Sequence, residues 1–293
     1  LLLALGIASC AQRRESAGPN YGDEPDEIVE PRYSFAIHPL HNPQKLMEAY
    51  QPLIDLMNSS IAGSRFTLEA SRDYASYEDK YRARKPALLL PNPWETLQAM
   101  KAGYRVVAMA GDPSDFRGLI IVRVDGGIES PQDLKGKAVS YPARTALAAC
   151  IMPQYYLQEF GIDVAKDIEN RYVGSQESSI LNVLHKLTAA GATWPPPWRA
   201  FQKNHPVEAA RLRVAWETES LVNNSVMIRD DVPADIEEKL RAILFGLHET
   251  ERGRSILEGM ETSRFLPATD EDYDVIRSYI ERFEREVRKV ESG

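Results

Sequence analysis

From Tyr33 onward the apolar positions switch repeatedly between two periods. Tyr33, Phe35 and Ile37 recur at every second residue, the period of a strand. Leu46, Met47, Tyr50, Leu53, Ile54 and Met57 then recur at helical spacing behind Asn42-Pro43, a capping residue followed by a proline in the first turn. The alternation continues as a strand at 66–70, a helix at 74–84, and a buried strand at 87–90 stopped by Pro91-Asn92-Pro93. A helix at 94–101 and strands at 104–110 and 118–124 follow, the strands separated by the turn-prone stretch 111–115. Ser130, Pro131 and Gly136 bracket one short helix that feeds a strand at 137–140. Loop 141–144 opens a long helix through 160, followed by a strand at 171–173, a helix at 175–190 and a strand at 192–194. After strands at 212–216 and 225–228 the tail reads as helices at 233–248, 253–260 and 270–290, with no internal repeat. Strand, turn, helix in this order predicts an α/β fold with largely parallel sheets.

Ahead of this body the pattern is different. Residues 1–9 are apolar, Cys10 ends the run, and Ala11-Gln12-Arg13-Arg14 turns polar. The run is far short of the roughly 20 apolar residues that span a bilayer. Its end, Ile7-Ala8-Ser9-Cys10, resembles a bacterial lipobox at the close of a secretory signal. That resemblance implies acylation of Cys10 and attachment to a membrane surface through lipid alone. With no methionine or basic stretch ahead of it, the sequence is expected to begin inside its signal, so that 1–10 is a signal remnant. The competing reading is a buried apolar N-terminus with a chance cysteine. Residues 11–32 are rich in Gly, Pro, Asp and Glu without periodicity and read as a flexible tether.

Composition narrows the classes. Thirty-five Lys and Arg against 43 Asp and Glu give a net charge of −8, which leaves no basic footprint for nucleic acid. Two cysteines, Cys10 and Cys150, support neither a disulfide framework nor a cysteine-rich metal site. His38 and His41 lie three apart, but a metal site needs more ligands than that and none is evident. No metal or cofactor is expected. There is no Gly-x-Ser-x-Gly elbow, P-loop, His-Glu-x-x-His or paired catalytic carboxylates, so the chain reads as a non-enzyme.

The segment Ile128-Glu129-Ser130-Pro131-Gln132-Asp133-Leu134-Lys135-Gly136-Lys137-Ala138-Val139 resembles the Asp-Leu-Lys-Gly-Lys segment of type 2 periplasmic substrate-binding proteins. Three further stretches are similar to the phosphate/phosphonate (PhnD-like) branch: Asn42-Pro43-Gln44-Lys45-Leu46 with Tyr50-Gln51-Pro52-Leu53, Gly174-Ser175-Gln176-Glu177-Ser178-Ser179-Ile180, and Pro267-Ala268-Thr269-Asp270-Glu271-Asp272-Tyr273-Asp274. The likeness covers about 33–282 in the family's order. It implies a two-lobed α/β clamshell with two crossover strands, lobe one formed by 33–115 plus 220–293 and lobe two by 116–219. It also implies a small anionic ligand held between the lobes for an ABC permease, a location in the periplasm or at the outer face of the membrane, and a monomer.

The same resemblance places the pocket. The family's first loop, Pro-Tyr-Glu-Asn-Pro, corresponds to Pro39-Leu40-His41-Asn42-Pro43, and its Gly-Pro-x-Ser-Tyr loop to Leu90-Pro91-Asn92-Pro93-Trp94. Its hydroxyl-rich Ser-Thr-Ser-Gly loop becomes Ala143-Arg144-Thr145-Ala146, its His-acid pair Gln176-Glu177, and its Val-Asp-Ala-Gly Thr188-Ala189-Ala190-Gly191, followed by Ala192-Thr193-Trp194. His41, Asn42, Asn92, Trp94, Arg144, Thr145, Gln176, Glu177 and Trp194 are therefore the candidate ligand contacts. Each keeps a plainer reading beside it: capping for Asn42, a solvated loop for Arg144, core burial for Trp94, and the macrodipole for Glu177. With the family's Tyr, its hydroxyls and its Asp replaced, two indoles and a guanidinium predict a bulkier ligand with an anionic end. Pro195-Pro196-Pro197 is expected to stiffen the loop after a lobe-two strand. A periplasmic sensor feeding a two-component histidine kinase would share all these features and is the alternative to an importer subunit.

Overall fold

The computed structural model describes residues 30–291. Cys10, the lipobox and most of the tether lie outside the described residues. Strand β1 (Arg32–Ile37) leads into α1 (Pro43–Ser60), β2 (Arg65–Glu69), α2 (Tyr74–Arg82), β3 (Leu88–Leu90), α3 (Pro93–Lys101) and β4 (Tyr104–Ala110). The chain then crosses to a second sheet through β5 (Leu119–Arg123) and β6 (Ala138–Tyr141). A π-helical turn (Leu147–Ile151) runs into α4 (Met152–Glu159), followed by β7 (Glu169–Tyr172), α5 (Gln176–Leu184), β8 (Ala190–Thr193), α6 (Pro195–Asn204), α7 (Pro206–Ala209) and β9 (Leu212–Glu217). It returns as β10 (Ser225–Arg229), α8 (Ala234–Gly246), α9 (Glu251–Gly259), β11 (Phe265–Leu266) and α10 (Asp274–Glu286).

The first sheet has the order β11-β4-β10-β3-β1-β2 and the second β7-β6-β8-β5-β9. Both are mixed rather than largely parallel, and the path of the chain explains why. Strand β10 enters where β4 ends, with Ser225 opposite Met109, so it must run back against β4 and β3. Strand β5 likewise starts opposite the last residues of β8 and β9, Thr193 and Glu217, and runs against both. The two connections, 111–118 and 218–224, bond to each other through Thr218 N–H to Gly118 O and Leu221 N–H to Phe116 O.

Each sheet is covered on both faces. Phe35 and Ile37 of β1 pack with α1, α8 and α9, while Ala36 between them packs with α2, α3 and α10, the two-residue period serving two cores at once. In the second sheet Ile120 and Val122 face the π turn and α4, and Leu119 and Ile121 face α5 and α6. Among the described residues no helix is long and apolar enough to cross a membrane.

Three elements depart from the sequence pattern. Helix α5 stops at Leu184 rather than 190, because Lys186 takes a left-handed conformation (φ 61°) and Ala190 joins β8. Pro195-Pro196-Pro197 is the first turn of α6, not a loop. The first-turn N–H groups of a helix have no partner within it, so three prolines there sacrifice no bond. The helix expected through 160 opens with a π turn, whose first bond, Ile151 N–H to Ala146 O, leaves the amides ahead of it outside the helical ladder.

Candidate functional site

Six of the loops between a strand's C-terminal end and the next helix converge between the sheets, the position that open α/β folds give their ligands. After β1, Asn42 caps α1 by accepting the Lys45 N–H (3.0 Å), and its amide also reaches Glu177 across the cleft (3.3 Å). After β3, Asn92 and Glu95 form a capping box on α3, and the Asn92 amide donates to Thr145 O (3.3 Å). After β2, Tyr74 begins α2. After β6 come Thr145 and the π turn, after β7 comes Gln176, and after β8 comes Trp194.

Together they enclose a small cavity lined by His38, Tyr74, Asn92 and Phe116 from one side and by 146–149, Gln176 and Trp194 from the other, with Asn224 of the second crossing at its floor. Its volume is about 10 Å³, room for roughly one water-sized group. A tetrahedral oxyanion therefore requires the lobes to stand slightly further apart than they do here. Leu147, Ala148 and Ala149 line this cavity, and their amides precede the first helical bond, so this wall carries donors outside the helical ladder. Gln176 is held at both ends, accepting from Thr193 Oγ1 (2.9 Å) and donating to the Tyr74 hydroxyl (3.2 Å), which leaves the phenol proton free to donate. His38 donates from Nδ1 to Leu90 O (2.8 Å). Burial pushes its imidazole down to about 4, so it is neutral at pH 7 and its Nε2 is an acceptor. The Asn224 side-chain oxygen is buried without a partner. No lining side chain carries a formal charge at neutral pH, so an anion here is held by dipoles alone.

Around the cavity the lobes are pinned together. Lys45 pairs with Glu177 at 2.8 Å, and His205 Nε2 lies 3.6 Å from the same carboxylate. Burial raises the Glu177 pKa, but Lys45 and Asn42 outweigh it and hold the group below the ordinary carboxylate range. His41 beside them is half-buried, and burial together with the Lys45 ammonium pushes it down to about 4. Arg199 of α6 makes two 2.8 Å bonds to Asp115 and one of 3.2 Å to Glu261, which shares a groove with His41 and Lys45. The Thr145 hydroxyl donates to Glu78 Oε1 at 2.7 Å.

The nine candidate residues thus divide by position. Asn92, Gln176 and Trp194 line the cavity. Asn42 and Glu177 join the lobes, as does Thr145, whose side chain reaches Glu78. His41 lines the rim beside Lys45 and Lys203. Trp94 is packed with Leu97 and Tyr104 in an apolar cluster that also holds Phe116, Leu147 and Trp194, but does not line the cavity, and Arg144 is exposed, its guanidinium 4.7 Å from the centre of the Tyr172 ring. The convergence of two indoles and a guanidinium on one ligand, expected from the sequence, is not what the chain builds: α3 turns Trp94 inward, and Tyr172 draws Arg144 away. Sequence reasoning missed His38, Tyr74 and Asn224 as lining residues. Tyr74 carried a signal, since it opens the helix after β2 just as the other pocket residues follow their strands.

Two mixed sheets, double crossings and a polar cavity between strand ends define a two-lobed protein of the binding-protein type. The family model for periplasmic substrate-binding proteins of phosphonate ABC transporters matches residues 35–273, and the chain belongs to that family. Solved structures agree in fold. A binding-protein component of an ABC phosphonate transporter from Pseudomonas aeruginosa superposes with a TM-score of 0.80 at 19% identity, over 87% of each chain. PhnD1 from Prochlorococcus marinus, in complex with methylphosphonate, gives 0.79 at 17% identity over 87% of this chain and 98% of that one. A Xanthomonas citri protein, XAC2383, bound to ATP, gives 0.66 at 17% identity over 88% and 99%. The chain is accordingly a solute-binding component of an ABC transporter that works outside the cytoplasmic membrane, not an enzyme.

Proposed function

We propose that this protein captures a phosphonate or closely related tetrahedral phosphorus oxyanion and delivers it to an ABC permease. The observation that carries the reading is the pairing, across one uncharged cavity, of open helix amides at 147–149 with the neutral acceptor His38 Nε2. The amides and the Tyr74 hydroxyl suit anionic oxygens. An acceptor opposite them suits an oxygen that keeps its proton, which a phosphonate monoanion has and a sulfate or sulfonate lacks at neutral pH. The methylphosphonate complex of the structurally similar PhnD1 supports the same ligand class. The bulky ligand suggested by Trp94 and Arg144 is not supported, since neither residue reaches the cavity.

Isothermal titration with methylphosphonate, phosphite, phosphate and sulfate tests the reading. Saturable binding of the phosphorus compounds and none of sulfate is expected. Equal binding of sulfate, or no binding of any phosphorus oxyanion, overturns it.

The lipobox resemblance extends the proposal to an acylated Cys10 that tethers the body at the membrane surface. In a bacterial host, Cys10→Ser is expected to abolish incorporation of labelled fatty acid. Undiminished labelling would refute the anchor.

A further inference from the structure

The anion cavity adjoins a second compartment, and Trp194 and Asn224 form the wall common to both. The two spaces differ in chemistry. The first is ringed by donors, whereas the second is faced by Leu40, Leu90 and Met260 from the first lobe and by Pro196 from the second. Leu40, Leu90 and Met260 are at most 2% exposed, so this is interior apolar surface and not a solvent groove. Asp115, Asn223, Glu261 and Thr262 also line it, and two further polar atoms there have no hydrogen-bond partner among the described residues. One is the Asn224 side-chain oxygen, buried and unpartnered. The other is the hydroxyl of Tyr50, a residue that lines the compartment at 3% exposure and forms no hydrogen bond to any described residue. A donor and an acceptor thus line the compartment without a protein partner among the described residues, and of the two the Asn224 oxygen is sealed from water.

Deepening the function proposed above and resting on it, we propose that this compartment receives the organic substituent of a phosphonate whose phosphorus group sits at the 147–149 amides. The substituent it suits is a short carbon chain ending in a hydroxyl. Aliphatic walls match the chain, and a terminal hydroxyl is both acceptor for the Tyr50 O–H and donor to the Asn224 oxygen. Length is limited at the outer rim, where Asp115 and Glu261 line the compartment and are bridged by Arg199. Because Trp194 and Pro196 belong to the second lobe and the other walls to the first, the compartment widens together with the anion cavity when the lobes part. Tyr50, Leu40 and Met260 are thus specificity-determining residues that touch the substituent and not the anion.

The test is isothermal titration of the whole protein and two variants with phosphite, methylphosphonate, ethylphosphonate and 2-hydroxyethylphosphonate. In the unaltered protein the hydroxyethyl compound is expected to bind at least about tenfold more tightly than the methyl compound, the worth of about one satisfied hydrogen bond. Tyr50→Phe keeps the ring and is expected to erase that advantage while leaving methylphosphonate within about twofold, a residual difference of only a few tenths of a kcal/mol. Leu40→Phe, checked for folding by its melting temperature, is expected to exclude the two-carbon compounds and retain phosphite. Phosphite binding without discrimination among the phosphonates, or an equal loss for every ligand in Tyr50→Phe, overturns this inference alone. Failure of all four ligands overturns the phosphonate reading and this inference with it.

Discussion

Thr145 and Glu78 meet across the cleft in a 2.7 Å hydrogen bond, both essentially inaccessible to solvent, at 2% and 0% exposure. Glu78 is fixed from behind by Arg82 at 2.6 Å, and Thr145 is fixed through its carbonyl by Asn92. Thr145 lies two residues ahead of Leu147 in the cavity wall. The loop that lines the cavity is therefore also the loop that the opposite lobe grips.

Since the grip exists only when the lobes are together, its loss is expected to appear in dissociation and not in capture. Thr145→Val leaves a buried Glu78 oxygen unsatisfied, about 1–3 kcal/mol, so ligand release should quicken about 5- to 150-fold while the association rate holds. Stopped-flow kinetics with methylphosphonate would show it, and Thr145→Ser should restore the slower release. A matching fall in association rate would mean that Thr145 shapes the open site instead.

The Lys45–Glu177 pair belongs to a weaker class. Its side chains are 35% and 25% exposed, and such pairs contribute about 0–1 kcal/mol and are screened by salt. Glu177→Gln is accordingly expected to weaken ligand binding by less than about fivefold at low ionic strength, with the difference from the unaltered protein disappearing in concentrated salt. A loss that persists in salt would assign Glu177 to the ligand.

Acid should destabilise the protein through His38. The unfolded imidazole takes up a proton near 6.5 and the folded one only near 4. Below about pH 6.5 the unfolded state thus binds more protons, and stability present at neutral pH is lost as the pH falls toward 4, by at most about 3 kcal/mol for this residue. Thermal melts across that window should show the decline, and His38→Gln should flatten much of it. A slope unchanged in the variant would place the titration elsewhere, with half-buried His41 the next candidate.

Gly118 supports the anion loop from behind. A Cβ there would lie 2.6 Å from Ala148 O and 2.9 Å from the Pro153 ring, and neither neighbour is a side-chain end that can swing aside. Gly118→Ala is expected to push the 147–149 amides out of line, destabilising by about 1–3 kcal/mol and reducing ligand affinity at the same time. A variant with native melting temperature and native affinity would contradict this coupling.

What could be read from residues alone was whatever is decided locally. Asn42-Pro43 and Asn92-Pro93 start α1 and α3 as their chemistry dictates, because a cap and a first-turn proline act within four residues. The reversal of β5 and β10 was not legible, since it follows from where the chain re-enters a sheet. The site was legible in its loops but not in its side chains. Trp94 and Trp194 are about equally buried in one apolar cluster, yet of the two Trp194 lines the cavity: it is the extended residue ahead of α6, whereas Trp94 lies inside α3, a distinction of position and not of residue type.

The interleaving of β10 between β3 and β4 also orders events in time. A chain that leaves its source N-terminus first presents β1 to β4 with an open slot between two of its central strands. Nothing in the first 224 residues can occupy that slot with the observed pairing, so the first lobe stays unfinished until the second has been delivered. Completion of the first sheet is thus tied by the strand order to delivery of nearly the whole body.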